Sequence, residues 1–159
     1  MRNRTGRVVH TSYYVGVNDP VSLTHASFEA LSLARLAGAP AGNVDANALE
    51  RLVLRVGRPI PVTLALGDEV GLLCSHLDQL GASAHGVDQS AAAITLAQLR
   101  YAAGVFRRAD IRDLPFDRAS FDAAWTASVL CRLPRDQSLK ALQEVHRVLR
   151  MGAVLAVNC

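Results

Sequence analysis

The sequence predicts a single α/β domain built on a mostly parallel β-sheet. From residue 61 onward, short apolar segments typical of strands alternate with amphipathic segments typical of helices, an order that favours a parallel sheet covered by helices. The chain has 159 residues, the size of one domain. Half of its residues are hydrophobic and 19% are charged, which excludes a disordered chain.

Two regions of the chain differ in pattern. Residues 1–59 read as a tail, helices and loops, with apolar side chains at near-helical spacing over 21–36. A second helix is expected between Asp45, a candidate N-cap, and Gly57. We therefore expect 1–59 to form a helical cover or lid on the α/β core, which spans 60–159.

The core region follows a strand–helix rhythm. The expected strands are 62–66, 83–87, 105–109, 121–127 and 153–157, and the expected helices are 71–80, 90–103 and 135–150, with Ser90 as an N-cap. Ligands of such sheets bind at the carboxyl ends of the strands. The turns after Leu66, Val87, Ala109 and Ala127 are therefore the expected site.

Composition excludes several classes of function. No apolar run is long enough to span a bilayer, and the N-terminal residues lack a secretory signal. The net charge of +3 comes from dispersed arginines, so neither a nucleic-acid partner nor a membrane is expected. Cys74, Cys131 and Cys159 form no CxxC pair, so we expect no metal site, no disulfide framework and a cytoplasmic location.

A glycine turn and a distant carboxylate form the first motif. Gly67 and Gly71 follow the first core strand, and Asp88 ends the second strand twenty-one residues after Gly67. Glycine permits a tight turn before a helix, and a carboxylate at this distance can accept hydrogen bonds from ribose hydroxyls. By itself the pattern indicates only a ligand that contains a nucleoside.

The downstream segments are more specific. Residues 109–117 read ADIRDLPFD, residues 120–122 read SFD, and residues 144–152 read EVHRVLRMG. With the glycine turn, this ordered set resembles the class I S-adenosylmethionine-dependent methyltransferases, in particular the small-molecule branch related to quinone and sterol methylation. The resemblance covers 60–158 and implies a Rossmann-like methyltransferase fold that lacks the family's last two strands.

The resemblance also implies roles for individual residues. Contacts with S-adenosylmethionine are implied for Gly67, Glu69 and Gly71 at its methionine part, Asp88 at the ribose, Gln89, Asp110 and Ile111 at the adenine, and Thr126, Ala127 and Ser128 near the sulfonium. Positions implied to maintain the fold are Phe121, Asp122, Glu144 and Arg147.

Two residues depart from the family pattern at the first turn. Ala65 replaces an acidic residue, and Glu69 replaces the middle glycine. A glutamate is bulky where the cofactor backbone approaches and is negative near the cofactor's carboxylate. If poorly solvated, that contact would cost on the order of a few kcal/mol, so both departures bear on cofactor affinity.

Candidates for contact with the substrate lie outside these motifs. Tyr13, Tyr14 and His25 belong to the expected cover and could hold or deprotonate a substrate. Cys131 follows the fourth core strand, where relatives often carry histidine. Packing is the competing interpretation for the tyrosines, and a buried inert thiol is the competing interpretation for Cys131.

The last expected strand raises the question of partners. Residues 153–157 would form a hydrophobic sheet edge, which soluble domains normally cover. We therefore expect a homodimer, or a complex with a partner subunit, through the Ala153–Val157 edge.

The sequence favours methyl transfer from S-adenosylmethionine to a small molecule, in specialised metabolism. One alternative is a methyltransferase-like enzyme that catalyses cyclisation or rearrangement without methyl transfer. A second alternative is a non-catalytic subunit that completes another protein's sheet. Product mass distinguishes the first alternative, and a stable complex without a small-molecule site distinguishes the second.

Overall fold

A computed structural model of the chain describes residues 12–16, 46–68, 71–127 and 129–158. The strands in this part are β1 (Ser12–Gly16), β2 (Val62–Leu66), β3 (Ser83–Asp88), β4 (Val105–Arg108), β5 (Phe121–Ala127) and β6 (Leu149–Asn158). The helices are α1 (Ala46–Val56), α2 (Leu72–Gln79), α3 (Ala91–Arg100), α4 (Val129–Arg132) and α5 (Arg135–Val148). The helix expected over 21–36 lies outside the described residues.

The described strands form one sheet in the order β1-β6-β5-β2-β3-β4. Strands β2 to β6 run parallel to one another, and β1 runs antiparallel to β6. The predicted α/β fold with a mostly parallel sheet is confirmed. The structure adds two elements that the sequence did not predict, the edge strand β1 and the short helix α4.

Strand β1 corrects the expectation of an open sheet edge. Its backbone pairs with β6 from Ser12 opposite Asn158 to Gly16 opposite Val154. The free hydrogen-bonding side of 153–157 is therefore occupied by the chain's own N-terminal region, which satisfies backbone groups that an edge leaves unpaired. The expectation of a homodimer or partner subunit rested on an open edge at 153–157, and the pairing with β1 removes that argument.

The two faces of the sheet bury separate cores. On one face, Leu64, Leu66 and Val87 pack with Leu142 and Val145 of α5. On the other face, α1, α2 and α3 pack against a second cluster, which includes Leu49, Leu52, Ala65, Cys74, Leu77, Ala97, Phe106 and the fully buried Trp125. Successive residues of β2 thus point to opposite faces of the sheet and pack into different cores, as expected for a β-strand.

A buried carboxylate holds the amino-terminal edge of the sheet together. Asp122, at the start of β5, accepts hydrogen bonds from Arg58 Nη1 at 2.7 Å, from Arg150 Nη1 at 2.5 Å and from the Val62 backbone N–H at 2.9 Å. Burial alone would raise the pKa of Asp122, but the Val62 N–H and the two guanidinium groups outweigh it and hold the pKa below its ordinary value.

A second ion pair fixes the segment before β5. Glu144 of α5 accepts a hydrogen bond from the Leu114 N–H at 2.9 Å. Arg147 donates to the Leu114 carbonyl at 2.8 Å and to the Phe116 carbonyl at 2.7 Å, and it also pairs with Glu144. The contacts of Asp122, Glu144 and Arg147 confirm the expectation that these residues maintain the fold.

We expect Asp122→Ala to lower the free energy of unfolding by about 2 kcal/mol, because it leaves the Val62 N–H and two guanidinium groups without their acceptor. Urea unfolding at pH 7 measures this loss. Asp117→Ala, which removes an exposed carboxylate from the same edge, is the matched control and should change stability by less than about 0.5 kcal/mol. Equal effects of the two substitutions would contradict the structural role of Asp122.

The same contacts predict a pH dependence. The folded state lowers the pKa of Asp122 below its ordinary value of 3.8. The ionised carboxylate therefore stabilises the fold above about pH 3.8, and this stabilisation is lost as the pH falls below the lowered pKa. The stability difference between the wild type and Asp122→Ala should therefore shrink below about pH 4. A difference that stays constant from pH 7 to pH 3 would contradict the ion-pair interpretation.

Two glycines provide a matched test of backbone packing. Gly71 and Gly152 both have a φ of +78°, but a Cβ at Gly71 would lie 2.7 Å from Cδ2 of Tyr101, whereas a Cβ at Gly152 would meet nothing within 4 Å. We expect Gly152→Ala to cost about 1–2 kcal/mol from the left-handed conformation alone. Gly71→Ala should cost at least about 1 kcal/mol more from overpacking. Chemical denaturation compares them, and equal costs would show that this contact is not close.

Candidate functional site

A cleft of about 510 Å³ lies where the carboxyl ends of β2, β3 and β4 meet. The turn residues after these three strands form one side of the cleft, and α4 with the residues that follow it forms the other side. This is the place that the strand order predicts for a ligand, and the volume lies within the range of small-molecule sites, roughly 300–1,000 Å³.

The turn after β2 is held by backbone hydrogen bonds and a buried carboxylate. Gly67 has a φ of +74°, and its N–H donates to the Val87 carbonyl at 2.9 Å. Asp68 is 5% exposed and accepts hydrogen bonds from the N–H groups of Leu73 and Cys74, both at 3.0 Å. Asp68 thus satisfies two of the free N–H groups at the start of α2, a role that sequence reasoning missed although an acid just before a helix is its usual signal.

The thiol next to this turn is inert. Burial, and then the nearby charge of Asp68, raise the pKa of the Cys74 thiol far above its ordinary value. Cys74 therefore stays protonated at neutral pH and serves as part of the core.

The end of β3 presents a carboxylate that keeps acceptor capacity. Asp88 is half-buried and lines the cleft, and its Oδ1 accepts a hydrogen bond from the Ser90 N–H at 2.8 Å. A carboxylate can accept about four hydrogen bonds, and among the described residues Asp88 accepts this one. Ser90 Oγ accepts from the Ala93 N–H at 3.2 Å, which confirms the predicted cap of α3.

The neighbouring Gln89 also lines the cleft. It is exposed, and its backbone carbonyl accepts a hydrogen bond from Arg108 Nε at 3.0 Å. Arg108 thus ties the end of β4 to the turn after β3.

The residues after β4 form a charged and an apolar wall. Asp110 accepts hydrogen bonds at Oδ1 from the backbone N–H and the Nε of Arg112, both at 2.9 Å, and at Oδ2 from Nη2 of the same residue. The hydrogen bond from the Arg112 side chain is the main reason why the pKa of Asp110 falls to about 2. Ile111, which is 8% exposed, adds an apolar surface to the cleft.

The structure brings five of the ten expected cofactor contacts to this cleft: Gly67, Asp88, Gln89, Asp110 and Ile111. Gly71 lies beside the rings of Tyr101 and Phe106 and is not among the residues that line the cleft, so its expected cofactor contact stays a prediction. Thr126 does not line it either. It is fully buried at the end of β5, and its hydroxyl has no hydrogen-bond partner among the described residues. Glu69 lies outside the described residues, as does Ser128.

Two of the expected substrate contacts lie on the edge strand β1. Tyr13 pairs with Val157 and Tyr14 with Ala156, so β6 and β5 separate their strand from β2 and the cleft. His25 lies outside the described residues. Cys131 is half-buried in α4 and disulfide-bonded, which corrects the expectation of a free thiol there, while its contact with the substrate stays a prediction.

Ala93, Arg112, Val129 and Leu133 also line the cleft and were not predicted from the sequence. Two of them belong to α4 and its C-terminal continuation, a helix too short to produce a periodic signal. In the parts of the chain that the structure describes, no three histidine, cysteine or acidic side chains are grouped to hold a metal ion. None of the helices in those parts has the length and apolar character needed to cross a membrane.

The cleft residues fit a ligand that contains a nucleoside. Asp88 offers free acceptor sites at the strand tip, Ile111 offers an apolar surface for a base, and Gly67 leaves the approach to the turn open. These features match the groups that an adenosyl cofactor presents, namely hydroxyl donors and a flat ring.

Comparisons with known proteins point to the same chemistry. Residues 64–157 match the family described as a methyltransferase domain. The chain is 34% identical over 107 residues to malonyl-[acyl-carrier protein] O-methyltransferase from Salmonella typhimurium, covering 66% of this chain and 41% of the relative. It is 29% identical over 109 residues to an uncharacterised methyltransferase from Synechocystis, covering 69% of this chain and 50% of the relative. The chain thus spans half or less of the length of these two relatives.

Solved structures share the fold. A sugar N-methyltransferase from Streptoalloteichus superposes with a TM-score of 0.63 at 24% identity, covering 70% of this chain and 46% of that one. A TehB-like S-adenosylmethionine-dependent methyltransferase from Corynebacterium glutamicum superposes with a TM-score of 0.60 at 18% identity, covering 87% of this chain and 73% of that one. With the family match over more than half of its residues, the chain belongs to the class I S-adenosylmethionine-dependent methyltransferase family.

Proposed function

We propose that this chain binds S-adenosylmethionine in the cleft at the ends of β2, β3 and β4 and transfers its methyl group to a small molecule. The observation that carries the proposal is the convergence of Gly67, Asp88 and Asp110 on one cleft of about 510 Å³ in a chain that matches the methyltransferase domain. The resemblance in sequence assigns these same three positions to cofactor contacts.

Each wall of the cleft supports one part of this assignment. Asp88 would accept hydrogen bonds from the ribose hydroxyls, since its carboxylate keeps free acceptor sites. Ile111 would pack on the adenine ring, with Gln89 beside it. Gly67 would lie against the methionine part, where the lack of a side chain allows close approach.

The chemistry needs little from the protein beyond alignment. When bound, the cofactor supplies a sulfonium-activated methyl group. The chain's own residues would hold the acceptor in line with that methyl group and exclude water, and orientation of this kind supplies much of a two-substrate rate enhancement. No dedicated general base is required where the acceptor is already nucleophilic.

The acceptor would approach from the α4 side of the cleft. Val129 and Leu133 offer apolar contacts there, and Arg132 lies on the same wall. The relatives are named for methyl transfer to malonyl-[acyl-carrier protein] and to a sugar. These names support a small acceptor group as the substrate class.

Methyl transfer is tested by incubating the protein with isotope-labelled S-adenosylmethionine and a panel of small carboxylates, sugars and amines. A product that has gained one labelled methyl group supports the proposal. A converted substrate of unchanged mass would contradict methyl transfer and favour cyclisation or rearrangement.

We expect Asp88→Ala to weaken binding of S-adenosylhomocysteine at least about tenfold, which corresponds to about 1.4 kcal/mol. Isothermal titration calorimetry measures the Kd. Asp117→Ala is the matched control, because it removes an exposed carboxylate at the amino-terminal edge of the sheet, away from the cleft. The control should leave the Kd unchanged. An unchanged Kd for a folded Asp88→Ala variant would refute the assignment of Asp88.

A further inference from the structure

The Asp110 carboxylate is held by one arginine through three hydrogen bonds. Its Oδ1 accepts from the backbone N–H and the Nε of Arg112, and its Oδ2 accepts from Nη2. A carboxylate oxygen has room for about two donors. Oδ1 is therefore saturated, and one acceptor site remains on Oδ2.

The arginine is fixed at its other end as well. Arg112 Nη1 donates to Oε1 of Gln137 on α5 at 2.7 Å. All three guanidinium nitrogens are thus engaged, two with Asp110 and one with a helix that packs on the sheet. The Asp110 carboxylate cannot rotate without breaking hydrogen bonds to Arg112, and Arg112 cannot follow without leaving Gln137.

This arrangement forms part of the cleft wall. Asp110 and Arg112 both line the cleft, and their side chains are 38% and 34% exposed. About a third of each side chain is therefore open to a ligand. A planar pair of this kind is a defined surface, whereas a lone exposed carboxylate would sample several rotamers.

We propose that Arg112 is a positioning residue that directs the one remaining acceptor site of Asp110, on Oδ2, at the base of the cofactor. The inference rests on the proposed function, since it concerns the same cleft. One acceptor site accepts a single N–H donor. The cleft should therefore prefer a purine with an amino group at position 6 over a purine with an oxygen there, because the oxygen would face a carboxylate with no proton to share.

The charges around the pair keep Asp110 ionised and ready to accept. Lys140 on α5, like Arg112, lowers the pKa of the Asp110 carboxylate. Asp136 on α5 favours the charged form of Arg112. Asp113 lies beside Asp110 in the same turn through an isolated bridge, and Asp88 and Arg132 line the cleft from β3 and α4.

The test compares two ligands that differ at one atom. Calorimetry gives the Kd of S-adenosylhomocysteine and of its 6-oxo analogue, S-inosylhomocysteine, for the wild type and for Arg112→Met. The wild type should prefer the amino ligand at least about tenfold, as expected for one recognition hydrogen bond near a charge. Arg112→Met should lose most of that preference, mainly through weaker binding of the amino ligand.

Further variants separate positioning from general damage. Arg112→Lys keeps the charge but not the two-point geometry and should restore only part of the preference. Gln137→Ala removes the outer anchor and should give an intermediate preference. Arg118→Met changes an exposed arginine at the opposite edge of the sheet and should leave both Kd values unchanged. Unfolding midpoints confirm that each variant is folded.

The outcomes distinguish this inference from the proposed function. If the wild type binds both ligands equally, or if Arg112→Met weakens both by the same factor, Arg112 does not position Asp110 and the inference fails while the proposed function stands. If the wild type binds neither ligand at millimolar concentration, the proposed function fails and the inference fails with it.

Discussion

The site depends on backbone hydrogen bonds that join the ends of three parallel strands. The carbonyl of Val87 in β3 accepts from the N–H of Gly67 after β2, and the carbonyl of Asp88 accepts from the N–H of Ala109 after β4. Strand β3 therefore fixes the positions of both neighbouring turns. Because parallel strands end at the same edge, Asp88 and Asp110 reach one cleft although twenty-two residues separate them in the sequence.

The carboxylates at the amino-terminal edge and at the carboxyl-terminal edge of the sheet lie in different surroundings. At the amino-terminal edge, Asp122 is 5% exposed and accepts three hydrogen bonds, from Arg58, Arg150 and a backbone N–H. At the carboxyl-terminal edge, Asp88 and Asp110 line the cleft, and their carboxylates keep acceptor sites within reach of a ligand. A buried acid whose partners are protein groups stabilises a fold, and a partly exposed acid in a cleft can bind a ligand.

Much of the core could be predicted from local pattern alone. The bounds of β2 and β5 were predicted correctly, since each is a buried apolar run with turn residues on both sides. Strand β1 could not be predicted from the sequence, because its five residues form a strand only by pairing with β6, which lies nearly the whole chain away. The sequence placed Asp110 in the site, but its pairing with Arg112 depends on side-chain rotamers, which spacing does not determine. The expected cofactor contact of Gly71 stays a prediction, because its place beside the rings of Tyr101 and Phe106 depends on packing that spacing does not determine.

The most direct measurement of the central claim is a titration of the isotope-labelled protein with S-adenosylhomocysteine, followed by amide NMR. If the ends of β2, β3 and β4 form the cofactor site, shifts should concentrate at Gly67, at 88–90 and at 110–112, while amides around Val62 and Phe121 at the opposite edge stay unchanged. Shifts confined to that opposite edge, or none at millimolar ligand, would contradict the account.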